Sequence, residues 1–123
     1  MPVSTLALYL ARFVGCLAVI TGPLWFVNHN LAFRIFGLPK TITGQQMAAV
    51  GPAIGGRNMS LGTLIILASY YLTYKQTGMV LALVASGSGW SDTEVCLHLG
   101  KGHKRHLINL VICYGLSAVL LLS

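Results

Sequence analysis

The sequence predicts an all-α protein, a membrane-embedded four-helix bundle with antiparallel neighbours and short loops, and three observations predict it. The first is composition: 55% of the 123 residues are hydrophobic and 8% are charged, with a mean hydropathy of +0.76. A soluble domain averages about 25% charged residues, so eight basic and two acidic side chains are too few to give a globule of this size a polar surface. The second is that the apolar residues fall into four runs separated by short polar links. The third is length, because a helical span needs roughly 20 apolar residues. Four spans then fill the chain as one domain over residues 1–123.

The elements follow in order. Helix one is expected over about residues 5–27, ending where Asn28-His29-Asn30 breaks the run. Leu31 to Thr43 is read as a connector whose Leu31, Phe33, Ile35 and Phe36, with Arg34 and Lys40, suit a short amphipathic turn in the interface plane. Helix two is expected over 46–71 and helix three over 77–97. The brief link Thr73-Tyr74-Lys75-Gln76 makes those two antiparallel neighbours. After a polar link, His98 to Arg105, helix four occupies about 106–122. Tyr70, Tyr71 and Tyr74 cluster at one end of helix two as an aromatic belt does. The first apolar run has no basic leader, and Pro23-Leu24-Trp25-Phe26 is not a small-residue cleavage site, so the first helix is expected to stay.

The net charge of +6 does not point to nucleic acid, because the cations stand singly at the edges of apolar runs rather than in a phosphate-tracking patch. They set topology instead. Connections 28–45 and 98–105 share one side and contain Arg34, Lys40, Lys101, Lys104 and Arg105, whereas the opposite side has only Lys75. These two loops are therefore expected to be cytosolic, with the termini lumenal. In a eukaryotic cell the endoplasmic reticulum is the default membrane. Cys16, Cys96 and Cys113 form no CxxC pair and read as small buried residues.

Four ionisable residues fall within the expected spans: Arg12, Arg57, Asp92 and Glu94. Each costs about 2.5–3.5 kcal/mol at a helix centre, so such residues face protein and pair. Gly78, Ala82, Ala85, Gly89 and Asp92 recur at steps of four, three, four and three, a small-residue stripe that lets backbones approach and turns Asp92 towards protein. Glu94, about 200° further round, points elsewhere, towards the headgroups near Trp90. His106, Asn109, Cys113 and Ser117 form a polar stripe on helix four, and Tyr9, Arg12 and Cys16 stack on helix one. Gly51 and Gly55 make a small-xxx-small contact. The long Arg57 side chain bridges the depth offset to Asp92, which makes these two the natural pair.

Two motif matches are rejected. Asn58-Met59-Ser60 has the form of a glycosylation site but lies inside helix two. His98, His103 and His106 with Asp92 are metal-ligand types at a spacing that fits no standard site, among lysines that repel a cation. No metal is expected. No cofactor is expected either, since no dinucleotide or P-loop motif is present.

The block Gly51-Pro52-Ala53-Ile54-Gly55-Gly56-Arg57-Asn58-Met59-Ser60-Leu61-Gly62 resembles the signature of the DUF4267 family, small four-helix membrane proteins common in fungi and distantly similar to DoxX-like proteins. The family pattern often has an acidic residue after the arginine, where this chain has Asn58. It also tends to show an Asp near the end of helix three and a His opening helix four, matched by Asp92 and His106. The resemblance covers most of the chain and implies a four-helix membrane fold. By analogy with small fungal membrane proteins of secondary metabolism, it implies acid-catalysed epoxide opening that rearranges or cyclises a terpenoid chain.

The leading expectation is thus an integral membrane isomerase or cyclase acting on a lipophilic intermediate without a cofactor. A carboxyl withdrawn from water into a dry pocket serves as a proton donor. Asp92 is the expected general acid, His106 reloads it or takes the proton at the end, and Arg57 orients it. An arginine beside Asp92 opposes donation, which leaves Glu94 as the other candidate acid. Arg12, Asn58, Trp90 and Asn109 are the expected substrate contacts. The alternative is a non-catalytic small subunit or scaffold, with polar stripes serving as helix–helix glue and with a larger membrane enzyme or further copies of the chain as partner. A transporter of this size has no room for inverted repeats.

Overall fold

The computed structural model describes residues 2–38 and 44–123, apart from the side chain of Met47, and the described residues are helical nearly throughout, with no strand. The elements are α1 (Val3–Thr21), α2 (Leu24–Val27), α3 (His29–Phe36), α4 (Gly44–Tyr71), α5 (Tyr74–Val84), a π turn (Ala85–Gly89), α6 (Trp90–His98) and α7 (His103–Leu121). Lys40 and the end of the expected connector, 39–43, lie outside the described residues.

Three departures from the sequence expectation have local causes. Helix one is not continuous to Val27: it ends at Thr21, and Gly22-Pro23 separates it from α2. Pro23 has no N–H to continue the ladder. The expected interfacial turn is a helix, α3, started by the Asn28 side chain, which accepts from the Leu31 N–H at 3.0 Å, and ended by Gly37 at φ +88°. The third run is divided by the π turn within Ala85-Ser86-Gly87-Ser88-Gly89, where Ser86 and Ser88 donate side-chain hydrogen bonds to the carbonyls of Ala82 and Val84, each at 2.8 Å. Among the described residues, two helical stretches are long and apolar enough to cross a membrane, Val3–Val27 and His103–Leu121. In α4 the glycines and Arg57 dilute the apolar character, and the π turn leaves α5 and α6 as two shorter pieces.

Glycine lets α1 and α4 meet backbone to backbone. A Cβ at Gly62 would lie 2.5 Å from the Gly15 carbonyl oxygen, and one at Gly55 would lie 2.7 Å from that of Gly22. Those two pairs set α1 antiparallel to α4. Gly51 packs on Trp25, so both glycines of the expected Gly51/Gly55 contact face the end of the first helical run. On the other side α5 packs on α7 through Gly78, whose carbonyl accepts from the buried Ser117 hydroxyl at 2.7 Å. A capping box of Thr73 and Gln76 opens α5, and the Thr77 hydroxyl donates to the Ala68 carbonyl at 3.0 Å, fastening α5 to α4.

Two apolar clusters result. Ala7, Leu8, Ala11, Ile65, Leu81 and Leu120 form one, and Trp25, Ala32 and Phe33 form the other. Outward faces are apolar too: Phe13, Ile20, Leu83, Ile108 and Val111 are each at least 59% exposed.

Candidate functional site

Asp92 is positioned by the π turn. Ala85 and Thr93 are both buried, yet eight residues at about 100° each would set them about 80° apart. The π turn takes up one extra residue, returns Thr93 and Cys96 to the packed face, and leaves Asp92 beside it. There Asp92 Oδ1 accepts from Arg57 Nη2 at 2.7 Å. Arg57 also donates to Asn58 Oδ1 at 3.4 Å and to the Ser91 hydroxyl at 3.5 Å. Its Nε is buried without a partner. The side chains of Arg57 and Asp92 are 31% and 17% exposed.

His106 opens α7 from the neighbouring side. Its Nε2 contacts the Phe36 carbonyl oxygen at 2.8 Å, and its ring lies 4.4 Å from that of Phe36, which in turn meets Trp25 edge-on at 5.4 Å. A carbonyl only accepts, so Nε2 carries the proton, and Nδ1 is the ring nitrogen left to exchange one. The same end of the fold is closed by a contact between two left-handed glycines, Gly37 and Gly102, where a Cβ on Gly102 would lie 2.6 Å from the Gly37 oxygen.

Asp92 and His106 share one cavity of about 660 Å3 with Asn58, Ser88 and Asn109. Leu17, Trp25, Phe36, Leu61, Val84 and Leu116 are among its apolar lining. Its size suits a small organic ligand. Chemically it offers a carboxylate oxygen, an imidazole nitrogen, two amides and the Thr21 and Ser88 hydroxyls in a space that is otherwise mostly apolar. Among the described residues no three possible metal ligands cluster.

The expected site residues divide. Asp92, His106, Asn58 and Asn109 line the cavity, and Arg57 reaches it through Asp92. Glu94 does not: it pairs with His98 at 3.1 Å, with side chains 63% and 78% exposed, a contact worth about 0–1 kcal/mol. Trp90, 53% exposed, faces outwards. Arg12 is elsewhere, donating to the Ser69 hydroxyl at 3.0 Å and carbonyl at 2.9 Å, with its guanidinium 4.0 Å from the Tyr70 ring centre. It satisfies a carbonyl in the last turn of α4, a helix-end role. Trp25, an aromatic able to border a cation, lines the cavity, and so do Ser88 and Cys113, to which sequence reasoning assigns no site role. The Ser-Gly alternation of 85–89 was the available signal for Ser88.

The sequence model of the family described as "Domain of unknown function (DUF4267)" matches residues 15–122. The chain belongs to the DUF4267 family. No curated protein and no solved structure matches it. The match takes in every residue of the Arg57–Asp92–His106 group.

Proposed function

We propose that this DUF4267 protein is a multi-pass membrane isomerase or cyclase that opens an epoxide on a lipophilic, terpenoid-type intermediate and so rearranges or cyclises it. The observation that carries this reading is that Asp92 and His106 both line one end of a mostly apolar cavity of about 660 Å3. Apolar outward faces and two helices apolar enough to span favour a bilayer as the surroundings. On this reading α1–α2, α4, α5–α6 and α7 are four spans forming a bundle. Loops 28–45 and 98–105 face the cytosol, with the endoplasmic reticulum as the membrane.

His106 is the favoured proton donor. As imidazolium it keeps Nε2–H on Phe36 and gives the Nδ1 proton to the epoxide oxygen. The C–O bond breaks, leaving a hydroxyl and a cationic carbon. Loss of a proton from a neighbouring carbon back to Nδ1 yields an isomer of the starting material, and no co-reactant is consumed. Asp92, held by Arg57 at 2.7 Å, acts as the countercharge for the imidazolium and the cation. The ion pair disfavours the simpler assignment of Asp92 as the acid, and Glu94, out on the surface, is no substitute.

The second reading, a non-catalytic subunit partnering a larger membrane enzyme, is favoured by Arg12, which hydrogen-bonds Ser69 away from the cavity as helix–helix glue. Purified protein incubated with epoxidised prenyl alcohols of increasing chain length separates the two. Ring-opened or cyclised products of unchanged mass are expected by mass spectrometry, and Asp92→Asn and His106→Gln should abolish them at equal membrane abundance. Product formed equally by wild type and both variants contradicts the catalytic reading.

A further inference from the structure

The cavity is polarised along the helices. At one end stand Asn58, Asp92, His106 and Asn109, with Trp25 and Phe36 beside them. At the other are Leu10, Ile65, Leu81 and Leu116, none of which offers a hydrogen bond. The lining on α1 extends from Leu10 to Thr21, eleven steps or about 16 Å at 1.5 Å per residue. At roughly 30 Å3 per water-sized group, the volume of about 660 Å3 holds about twenty heavy atoms. Ile65 and Leu81, 2% and 0% exposed, close the wall on α4 and α5. The opposite rim consists of Phe13 and Leu17 of α1 and Ile112 of α7, which line the cavity and are still 60%, 46% and 48% exposed. That rim carries no charge, so it admits a ligand from hydrocarbon rather than from water.

We infer that the cavity takes a single-chain amphiphile sideways from the bilayer, between α1 and α7, and holds it parallel to the helices with its polar or reactive group at the chain terminus beside Asp92 and His106. The inference rests on the embedded reading above and narrows its substrate class to chains functionalised at one end. Because the polar end of the cavity lies on the side of α3 and of the link between α6 and α7, the bound chain has the orientation of a lipid in that leaflet. It enters without turning over.

Trp25 reports on this directly. It is 2% exposed and lines the polar end, whereas the other tryptophan, Trp90, is 53% exposed and faces outwards. In the otherwise intact protein carrying Trp90→Phe, reconstituted in phosphatidylcholine vesicles, the probes are hexadecanol brominated beside the hydroxyl and hexadecanol brominated at the far end of the chain. The first should quench Trp25 saturably and the second should not. Adding Cys113→Phe, which fills the cavity midway, should remove the saturable quenching. A Trp25→Phe protein, reporting from Trp90, should be quenched without saturation by both probes. Equal quenching of Trp25 by the two probes, stronger quenching by the far-end bromine, or saturable quenching that survives Cys113→Phe would each overturn the inference. The assay involves no turnover, so it can fail while the isomerase reading stands, and the reverse also holds.

Discussion

Arg57 of α4 and Asp92 of α6 are joined by a 2.7 Å hydrogen-bonded ion pair, with a guanidinium Nε buried and unpartnered behind it. In a low-dielectric setting desolvation offsets most of what such a pair gains while intact, but removing one member is costly because the other charge stays.

Arg57→Met should therefore lower unfolding stability in detergent by about 3–5 kcal/mol, leaving Asp92 uncompensated. Arg57→Met with Asp92→Leu should recover much of that loss, because neither charge then remains. Thermal unfolding of the two variants side by side measures this. A double variant less stable than the single one would argue against the pair.

The π turn gives a prediction with opposite signs for two edits of the same segment. Gly87 has open space around its Cβ position, and deleting it should let 85–89 relax to α-helix with Asp92 still against Arg57. Inserting one alanine between Gly89 and Trp90 should rotate Asp92 by about 100° and break the pair. A cysteine cross-link between positions 58 and 92 reads the geometry. It should form in the deletion protein and fail in the insertion protein, and the reverse outcome rejects the turn as a positioning element.

Much of this was legible in the sequence, for identifiable reasons. Asp92 and Arg57 could be paired because intramembrane charges have few partners, and Gly51/Gly55 because close backbone approach needs small residues at that spacing. The Gly15–Gly62 contact was not legible, since Gly15 and Gly62 each stand seven residues from the next glycine of the seam, Gly22 and Gly55, rather than at the four-residue spacing that marks a small-residue contact. Glu94 is a candidate only because an arginine beside Asp92 opposes donation, and Trp90 only because an aromatic can border a cation. Helical spacing already turns Glu94 away from Asp92, and both Glu94 and Trp90 are exposed. Arg12 was misplaced for another reason. The Gly15/Gly62 and Gly22/Gly55 pairs set Arg12 opposite Ile65, but its long side chain reaches one turn further, to Ser69.

The α1–α4 seam predicts a contrast among glycines of one helix. Gly62→Ala forces a Cβ to 2.5 Å from the Gly15 carbonyl oxygen, and overpacking of this kind costs about 1–3 kcal/mol. Gly56→Ala meets nothing within 4 Å and should be neutral or stabilising by about 0.5–1 kcal/mol. Unfolding midpoints in one detergent compare them. Equal effects would show that the seam is looser than described.

The Arg12 contacts should be structural and nothing more. Arg12→Gln should lower stability, by about 1–3 kcal/mol for the hydrogen bonds lost at the Ser69 carbonyl, and leave Trp25 quenching by head-brominated hexadecanol unchanged. Loss of that quenching in a folded Arg12→Gln protein would place Arg12 in the binding site after all.

The most direct test of the embedded, four-span arrangement is membrane sidedness. In a protein whose three native cysteines are replaced by alanine, single cysteines at Lys75 and Lys101 are labelled with an impermeant maleimide in sealed microsomes whose cytosolic face is outward. Labelling at 101, and at 75 only after the vesicles are opened, is the expected result. Equal labelling of both positions in sealed vesicles, or extraction of the unlabelled chain into detergent-free buffer as a folded monomer, would contradict it.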